Sequence, residues 1–286
     1  MASLKSISAA QQPIKPFLRW AGSKRKLLSR LKGYWSPDRH KRYIEPFAGS
    51  ACLFFELRPR AAILGDSNRE LIDLYRAVKA DPKPIFERLV RIPRNAETYY
   101  RWRAKNPRTE DRATRALRFL YLNRNCFNGI YRTNTDGGFN VPFGGKHGQP
   151  CGALARQDFM RAAKELKNAR FVAGDFSRTL AVAEKGDFVY LDPPFAVSSR
   201  RVFTEYGEKI FDVTDVDRLA RELRRLHKLG AEFLVSYADC TAARKLAQEW
   251  NASKLYVRRH IAGFTGDRRM ASEWLITNLA SHSSEA

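Results

Sequence analysis

The residues best suited to chemistry stand together at Asp192, Pro193, Pro194 and Phe195, directly after the apolar run Phe188 to Leu191. Such a run reads as a buried parallel strand. Two prolines cannot continue a central strand, so the chain leaves the sheet there. Ligands of open α/β sheets sit outside the carboxyl ends of the strands, so a carboxylate, a rigid backbone and an aromatic ring arrive where chemistry is expected. The set suits a planar base carrying an exocyclic amino group. Asp192 and the carbonyl of Pro193 can accept its two protons, and Phe195 can stack on its ring. The competing reading is a strand followed by a proline-rich turn without function.

Other elements must hold that tetrapeptide against a ligand. Arg42 to Phe47 reads as the first strand, containing Glu45 and Pro46; Ala48-Gly49-Ser50-Ala51 is a small-residue turn, and Cys52 to Leu57 begins a helix. Strand, small-residue turn and helix form a nucleotide cradle. With Gly49 as its one glycine, the turn does not match G-x-G-x-x-G, so a dinucleotide is poorly supported. A second strand, Ala61 to Gly65, ends at Asp66, placed to accept hydrogen bonds from ribose hydroxyls, with Ser67 and Asn68 capping the next helix. Upstream, Trp20-Ala21-Gly22-Ser23-Lys24 offers an aromatic plate, free backbone N–H groups and a lysine, with Ser23 as a helix cap. An ordinary capped helix explains this stretch equally well.

From about Asp81 to Gly152 the α/β rhythm stops. Helical segments rich in Arg and Tyr (Tyr99 to Arg103, then Arg112 to Asn125) precede a turn-rich stretch from Asn125 to Lys146. Asn128-Gly129 and Asp136-Gly137-Gly138 are tight-turn signals. A hairpin with Phe127, Ile130, Arg132 and Asn134 at its tip suits a DNA groove, where Arg reads guanine, Asn reads adenine and an apolar wedge parts a base step. A plain surface hairpin is the alternative. The sheet then resumes with a strand from Arg170 to Ala173 ending at Asp175-Phe176. The central strand, a polar aromatic loop at Phe203 to Gly207, a helix from Val213 to Lys228 and a strand from Phe233 to Tyr237 follow. A helix from Thr241 to Trp250 and strands at Lys254 to Ile261 and Glu273 to Thr277 complete the series. The basic loop between those last strands, 262–269, is expected to be mobile and to clamp a phosphate backbone.

The 286 residues carry 52 Lys and Arg against 30 Asp and Glu, a formal charge of +22. That excess, interleaved with aromatics, predicts a polyanionic partner, most simply nucleic acid. The four cysteines form no CxxC pair and read as reduced thiols in a cytoplasmic setting. No His/Cys cluster is placed to bind a metal. No apolar run is long enough to span a bilayer, and residues 1–14 read as a disordered tail rather than a signal peptide.

Taken together, these residues resemble the Dam-type DNA adenine-N6 methyltransferases, the α-group with D12-class motifs. The likeness covers about Pro16 to Asn278 and follows the family's order: Phe17 to Lys24, Glu45 to Ser50, Asp66 to Asn68, the hairpin, then Asp192 to Phe195. It implies an α/β fold: a Rossmann-like S-adenosylmethionine-dependent methyltransferase sheet (15–78 and 153–280) with an inserted helical and hairpin target-recognition domain (79–152). It also implies that Trp20, Ala21, Gly22, Lys24, Glu45, Pro46, Phe47, Gly49, Ser50, Asp66, Ser67, Asn68, Asp175, Phe176 and Asp192 form the cofactor site. Arg19, Phe127, Asn128, Ile130, Arg132, Asn134 and Pro142 match DNA contacts. Double-stranded DNA is the expected partner, with GATC hinted by the hairpin, a monomeric enzyme, no membrane, and room for a cognate restriction endonuclease. The sequence departs from the family at Phe195, where Tyr is usual, and at Ser23 and Ala51, where glycine is usual. An RNA adenine methyltransferase and a non-catalytic DNA-binding protein on the same scaffold are the rival readings.

Overall fold

The structure is a computed structural model describing residues 13–134, 137–144, 152–194, 211–258 and 270–279. Phe195, Cys151, the loops at 203–207 and 262–269 and residues 1–12 of the expected tail lie outside them.

The chain opens with a 3-10 turn at Lys24–Leu27 that runs into α1 (Leu28–Leu31). Strand β1 (Tyr43–Glu45) stops at Pro46 and leads into α2 (Cys52–Leu57); β2 (Ala62–Asp66) leads into α3 (Arg69–Ala80). Helices α4 (Pro82–Arg91), α5 (Ala96–Ala104) and α6 (Arg112–Asn125) follow, with a proline at the start of α4, where no N–H is needed. Helix α7 (Arg156–Leu166), β3 (Ala169–Ala173), α8 (Phe176–Leu180) and β4 (Phe188–Leu191) return the chain to the sheet. Helix α9 (Val213–Leu229), β5 (Glu232–Ala238), α10 (Thr241–Ala247), β6 (Asn251–Arg258) and β7 (Met270–Thr277) complete it. The last helix is shorter than its sequence pattern predicts. Both last strands begin three residues earlier than the sequence pattern predicts, β6 at Asn251 and β7 at Met270, and they pair with each other from Asn251↔Thr277 to Arg258↔Met270.

The sheet order is β3-β2-β1-β4-β5-β7-β6. The first five strands are parallel and β7 runs antiparallel to β5. Consecutive strands run outward from β1 to β3, and β4 then returns to the other side of β1. The switch point, where a doubly wound sheet binds its ligand, therefore lies between β1 and β4.

Strand β4 explains its own unbroken apolar run. Phe188 and Tyr190 enter the core on one face; Val189 and Leu191 enter the core on the other, with Phe233, Val235 and the α9 leucines. β1 divides in the same way, Tyr43 to one face and Ile44 to the other. Asn68, Asn95 and Asp111 accept N–H groups at the starts of α3, α5 and α6, and Asp212 forms a capping box on α9.

The expected insert has no core of its own. Buried residues from Ile85 to Val141 belong to the same cluster as Tyr43, Phe54, Tyr75 and Phe159. Arg118, 2% exposed, fastens it: its guanidinium donates to Glu70 Oε2 on α3 (3.2 Å) and to the carbonyls of Trp102 and Arg103 at the end of α5. Removing that guanidinium leaves three acceptors without their donor and Glu70 without its counter-charge. Arg118→Ala is expected to lower the free energy of unfolding by about 3 kcal/mol, measured by urea denaturation.

Candidate active site

The carboxyl ends of β1, β2 and β4 and the turn at residues 20–24 line an open cavity. It contains Trp20, Ala21, Gly22, Ser23 and Lys24 from the first turn, Glu45, Phe47, Gly49 and Ser50 after β1, Asp66 and Ser67 after β2, and Asp192, Pro193 and Pro194 after β4. Residues spread over the sequence thus meet where the strand order reverses.

Asp192 is the electrostatic centre. Lys24 Nζ lies 2.7 Å from its Oδ1, and Ser236 Oγ on β5 donates to the same oxygen at 3.2 Å. Tyr190 OH is 2.8 Å from Ser236 Oγ inside the sheet. Both hydrogen bonds to Asp192 among the described residues therefore reach one oxygen. Burial pushes the Asp192 carboxyl above its ordinary value, and the Lys24 ammonium opposes that rise.

Asp66 braces the turn after β1. It accepts the Gly49 N–H at Oδ2 (3.0 Å) and the Asn68 N–H at Oδ1 (2.9 Å), while Tyr75 OH donates to the Gly49 carbonyl at 2.6 Å. Burial raises the Asp66 carboxyl to about 6 despite those two backbone bonds. Gly49 has φ +47°, and a Cβ there would lie 2.7 Å from Trp20 Cδ1. Only glycine lets the indole lie this close. Ala51, in place of the family's glycine, is also left-handed at φ 51° and carries a modest strain. Glu45, 3% exposed, is held well above the ordinary carboxylate range by burial, reinforced by the charges of Asp192 and Asp66. The buried Tyr43 hydroxyl beside it opposes that rise, and neither that hydroxyl nor Glu45 Oε2 has another hydrogen-bond partner among the described residues.

Several sequence expectations need correction. Ser23 makes no side-chain cap; its hydroxyl meets Ser50 Oγ at 3.4 Å, and the following turn is 3-10. Asn68 caps α3 and faces a neighbouring cavity rather than this one. Pro46 does not line the cavity, and neither do Asp175 and Phe176. Asp175 caps α8 and pairs with Arg218; burial resists its ionisation, but Arg218 and Ser177 hold it down to about 2. Phe176 packs between Phe47 and Phe211. Tyr190, Ser236, Cys52 and Ala238 belong to the site without having stood out in the sequence. The signal available for Ser236 was its position as the one aliphatic hydroxyl within the apolar strand Phe233 to Tyr237.

The hairpin adjoins the cavity. The bridges Cys126↔Phe143 and Thr133↔Phe139 join its arms. Arg132 is therefore in an arm rather than at the tip, and its Nε donates to Asn140 Oδ1 across the hairpin at 2.8 Å. Asn134 closes the next turn by accepting the Gly138 N–H, and Pro142 offers its carbonyl to the Phe127 N–H. Phe127 and Ile130 are half-buried against the core. The left-handed pair Asn128-Gly129 rests on Arg19, with a Cβ at Gly129 only 2.3 Å from Arg19 Cβ. Asn123 clamps the Arg19 backbone through both its side-chain atoms, at 3.0 and 2.8 Å. Trp20 stacks on Tyr131 with centroids 6.1 Å apart, so an aromatic contact runs from the cavity wall into the hairpin.

The profile of the D12 class N6 adenine-specific DNA methyltransferases matches residues 20–261. The chain belongs to this family. A type II methyltransferase of Lactococcus lactis subsp. cremoris is 32% identical over 279 residues, covering 93% of this chain and 95% of its own. The DNA adenine methylases of Salmonella typhi and Escherichia coli K12 are each 33% identical over 264 residues, covering 91% of this chain and 93% of theirs. No helix among the described residues is long and apolar enough to cross a membrane, and no group of metal ligands is present among them.

Two expected outcomes follow from the geometry of this cavity if it holds the cofactor as the sequence implies. Between the ordinary 3.8 and about 6, folded Asp66 keeps a proton that the unfolded chain has released, so its contribution to stability falls as pH rises through that window. The ionised form is the better acceptor, so S-adenosylmethionine affinity measured by calorimetry is expected to strengthen as pH rises through 6. In Asp66→Asn that dependence should vanish and affinity should be uniformly weak. Ser236→Ala, which loses one donor to Asp192, should lower single-turnover methylation about tenfold while cofactor affinity stays constant.

Proposed function

We propose that this methyltransferase transfers the methyl group of S-adenosylmethionine to the N6 amino group of a flipped adenine in double-stranded DNA, within GATC, and that Asp192 and Pro193 hold the amino group. The observation that carries the reading is the one-sided bonding of Asp192. With Lys24 and Ser236 both on Oδ1, the other carboxylate oxygen is the one turned to a ligand.

A carboxylate oxygen and the Pro193 carbonyl accept the two N6–H protons, which draws the nitrogen lone pair out of the ring and toward the incoming carbon. Lys24 keeps Asp192 ionised for that purpose. Pro193 and Pro194 fix the backbone, so the second acceptor arrives already oriented. S-adenosylmethionine supplies an electrophilic methyl group when bound. The cavity fits it: Glu45 Oε2 receives a donor, Asp66 receives ribose hydroxyls, and Trp20 walls the adenosine side. Phe195 supplies the stacking face for the target base. It retains the aromatic surface of the family's Tyr without the hydroxyl.

The hairpin supports duplex DNA over RNA as substrate, since it carries Arg132 in one arm and rests its Asn128-Gly129 turn on Arg19. The methylase names of the relatives agree with DNA. The enzyme acts in the cytoplasm as a monomer, on its own or beside a cognate restriction endonuclease, as the type II name of the lactococcal relative allows.

Asp192→Asn should reduce methyl transfer at least a thousandfold while the protein stays folded, because one acceptor becomes a donor facing N6. Retained turnover in a tritiated-methyl assay would remove Asp192 from the mechanism. Arg132→Ala should cost about 1–3 kcal/mol on the cognate site and relax discrimination at one base pair. Equal losses on all single-base variants would make Arg132 a backbone contact instead.

A further inference from the structure

A second cavity lies beside the first, between the start of α3, the turn at 106–108, α6 and the hairpin. Ser67 lines both. Its polar lining has an unbalanced chemistry. Three arginines reach it, Arg69, Arg108 and Arg115, and none has a carboxylate within 4.0 Å among the described residues. The two acids on its wall are already matched: Glu70 by Arg118 at 3.2 Å, with Arg115 as a second neighbouring charge, and Asp73 by Arg76 at 3.1 Å, which leaves Arg69 and Arg108 without an acid among the described residues.

Two buried donors add to that excess. Asn68 is 7% exposed; its Oδ1 accepts the Leu71 N–H, and its Nδ2, beside the Tyr131 hydroxyl, completes no hydrogen bond among the described residues. Arg115 Nε is likewise buried without a partner. Buried donors without partners cost free energy, and both are found at one cavity where cationic side chains are also in surplus. The cavity sits at the N-terminus of a twelve-residue helix, whose dipole favours negative charge.

We propose that this cavity is a phosphate-binding site, separate from the methyl-transfer pocket. The unpaired groups are all donors, and the flexible Arg69 and Arg108 at the rim can close over a tetrahedral oxyanion. A phosphodiester of the DNA strand and a free phosphate share this chemistry. Tyr131, Thr133, Gly137 and Gly138 of the hairpin form one wall, which favours the DNA backbone as the source. A phosphate held here couples the hairpin to Ser67 at the edge of the cofactor cavity.

The test compares the full-length wild type with the double variant Arg69→Gln/Arg108→Gln, both positions being exposed. Arg221→Gln, exposed on α9 at the other face of the sheet, serves as the charge control. Duplex affinity is measured across salt concentrations, and inorganic pyrophosphate binding by calorimetry. If a DNA phosphodiester occupies the site, the double variant's slope of log K against log salt falls by about 1, while Arg221→Gln keeps the wild-type slope. If a free phosphate occupies it, the slope is unchanged. Pyrophosphate binding then weakens at least tenfold in the double variant and in Asn68→Asp, which retains a helix-capping side chain. An unchanged slope with unchanged or absent pyrophosphate binding, or a slope change equal to that of Arg221→Gln, overturns the proposal. Neither readout depends on methyl transfer, so failure here leaves the assignment of Asp192 standing, and failure there leaves this site standing.

Discussion

The ion pair between Lys24 and Asp192 joins side chains 168 residues apart, and the geometry of the site depends on it. β4 is buried on both faces, so the first polar group at its end must either reach solvent or find a partner. Asp192 finds Lys24, which arrives on the tight turn of residues 20–24. That turn is itself fixed by Trp20 over Gly49 and by Ser23 against Ser50. Burial pushes this carboxylate toward its neutral form, and one ammonium and one hydroxyl oppose that push. The same contacts orient it, because they occupy one oxygen.

The cavity's three carboxylates show how environment separates roles among similar groups. Asp192 has a cation beside it. Asp66 has backbone N–H groups and titrates near 6. Glu45 has burial and two neighbouring negative charges, which favour its protonated form. Protonation of Glu45 and the Lys24 pairing of Asp192 are what let three acids share one cavity.

Much of this was legible in the sequence. Strand β4 and helices α2 and α6 have the predicted bounds, because apolar runs and caps are local signals. Asp66 could be placed because a strand-end acid at that distance from a small-residue turn has a positional meaning. Asp175 illustrates the opposite case: it too ends a strand, but Arg218, far away in the sequence, captures its carboxylate. Ser236 was hidden because its role comes from strand order, which places β5 beside β4. The hairpin was recognised from its glycines, yet the position of Arg132 within an arm depended on cross-strand register that turn signals alone do not fix. The absence of a separate core under the insert was invisible for a related reason. Burial of Arg118 against Glu70 is a tertiary fact, and arginine in a helix reads as surface.

The central claim is that Asp192 presents an adenine N6 for methylation in DNA. The most direct measurement is base-resolved mapping of modified nucleotides in DNA from a methylation-free host expressing this chain, in parallel with its Asp192→Asn variant. The account predicts N6-methyladenine at every copy of one short sequence with the wild type and none with the variant. Methylation on cytosine, methylation found in RNA alone, or an equal pattern from the variant would contradict it.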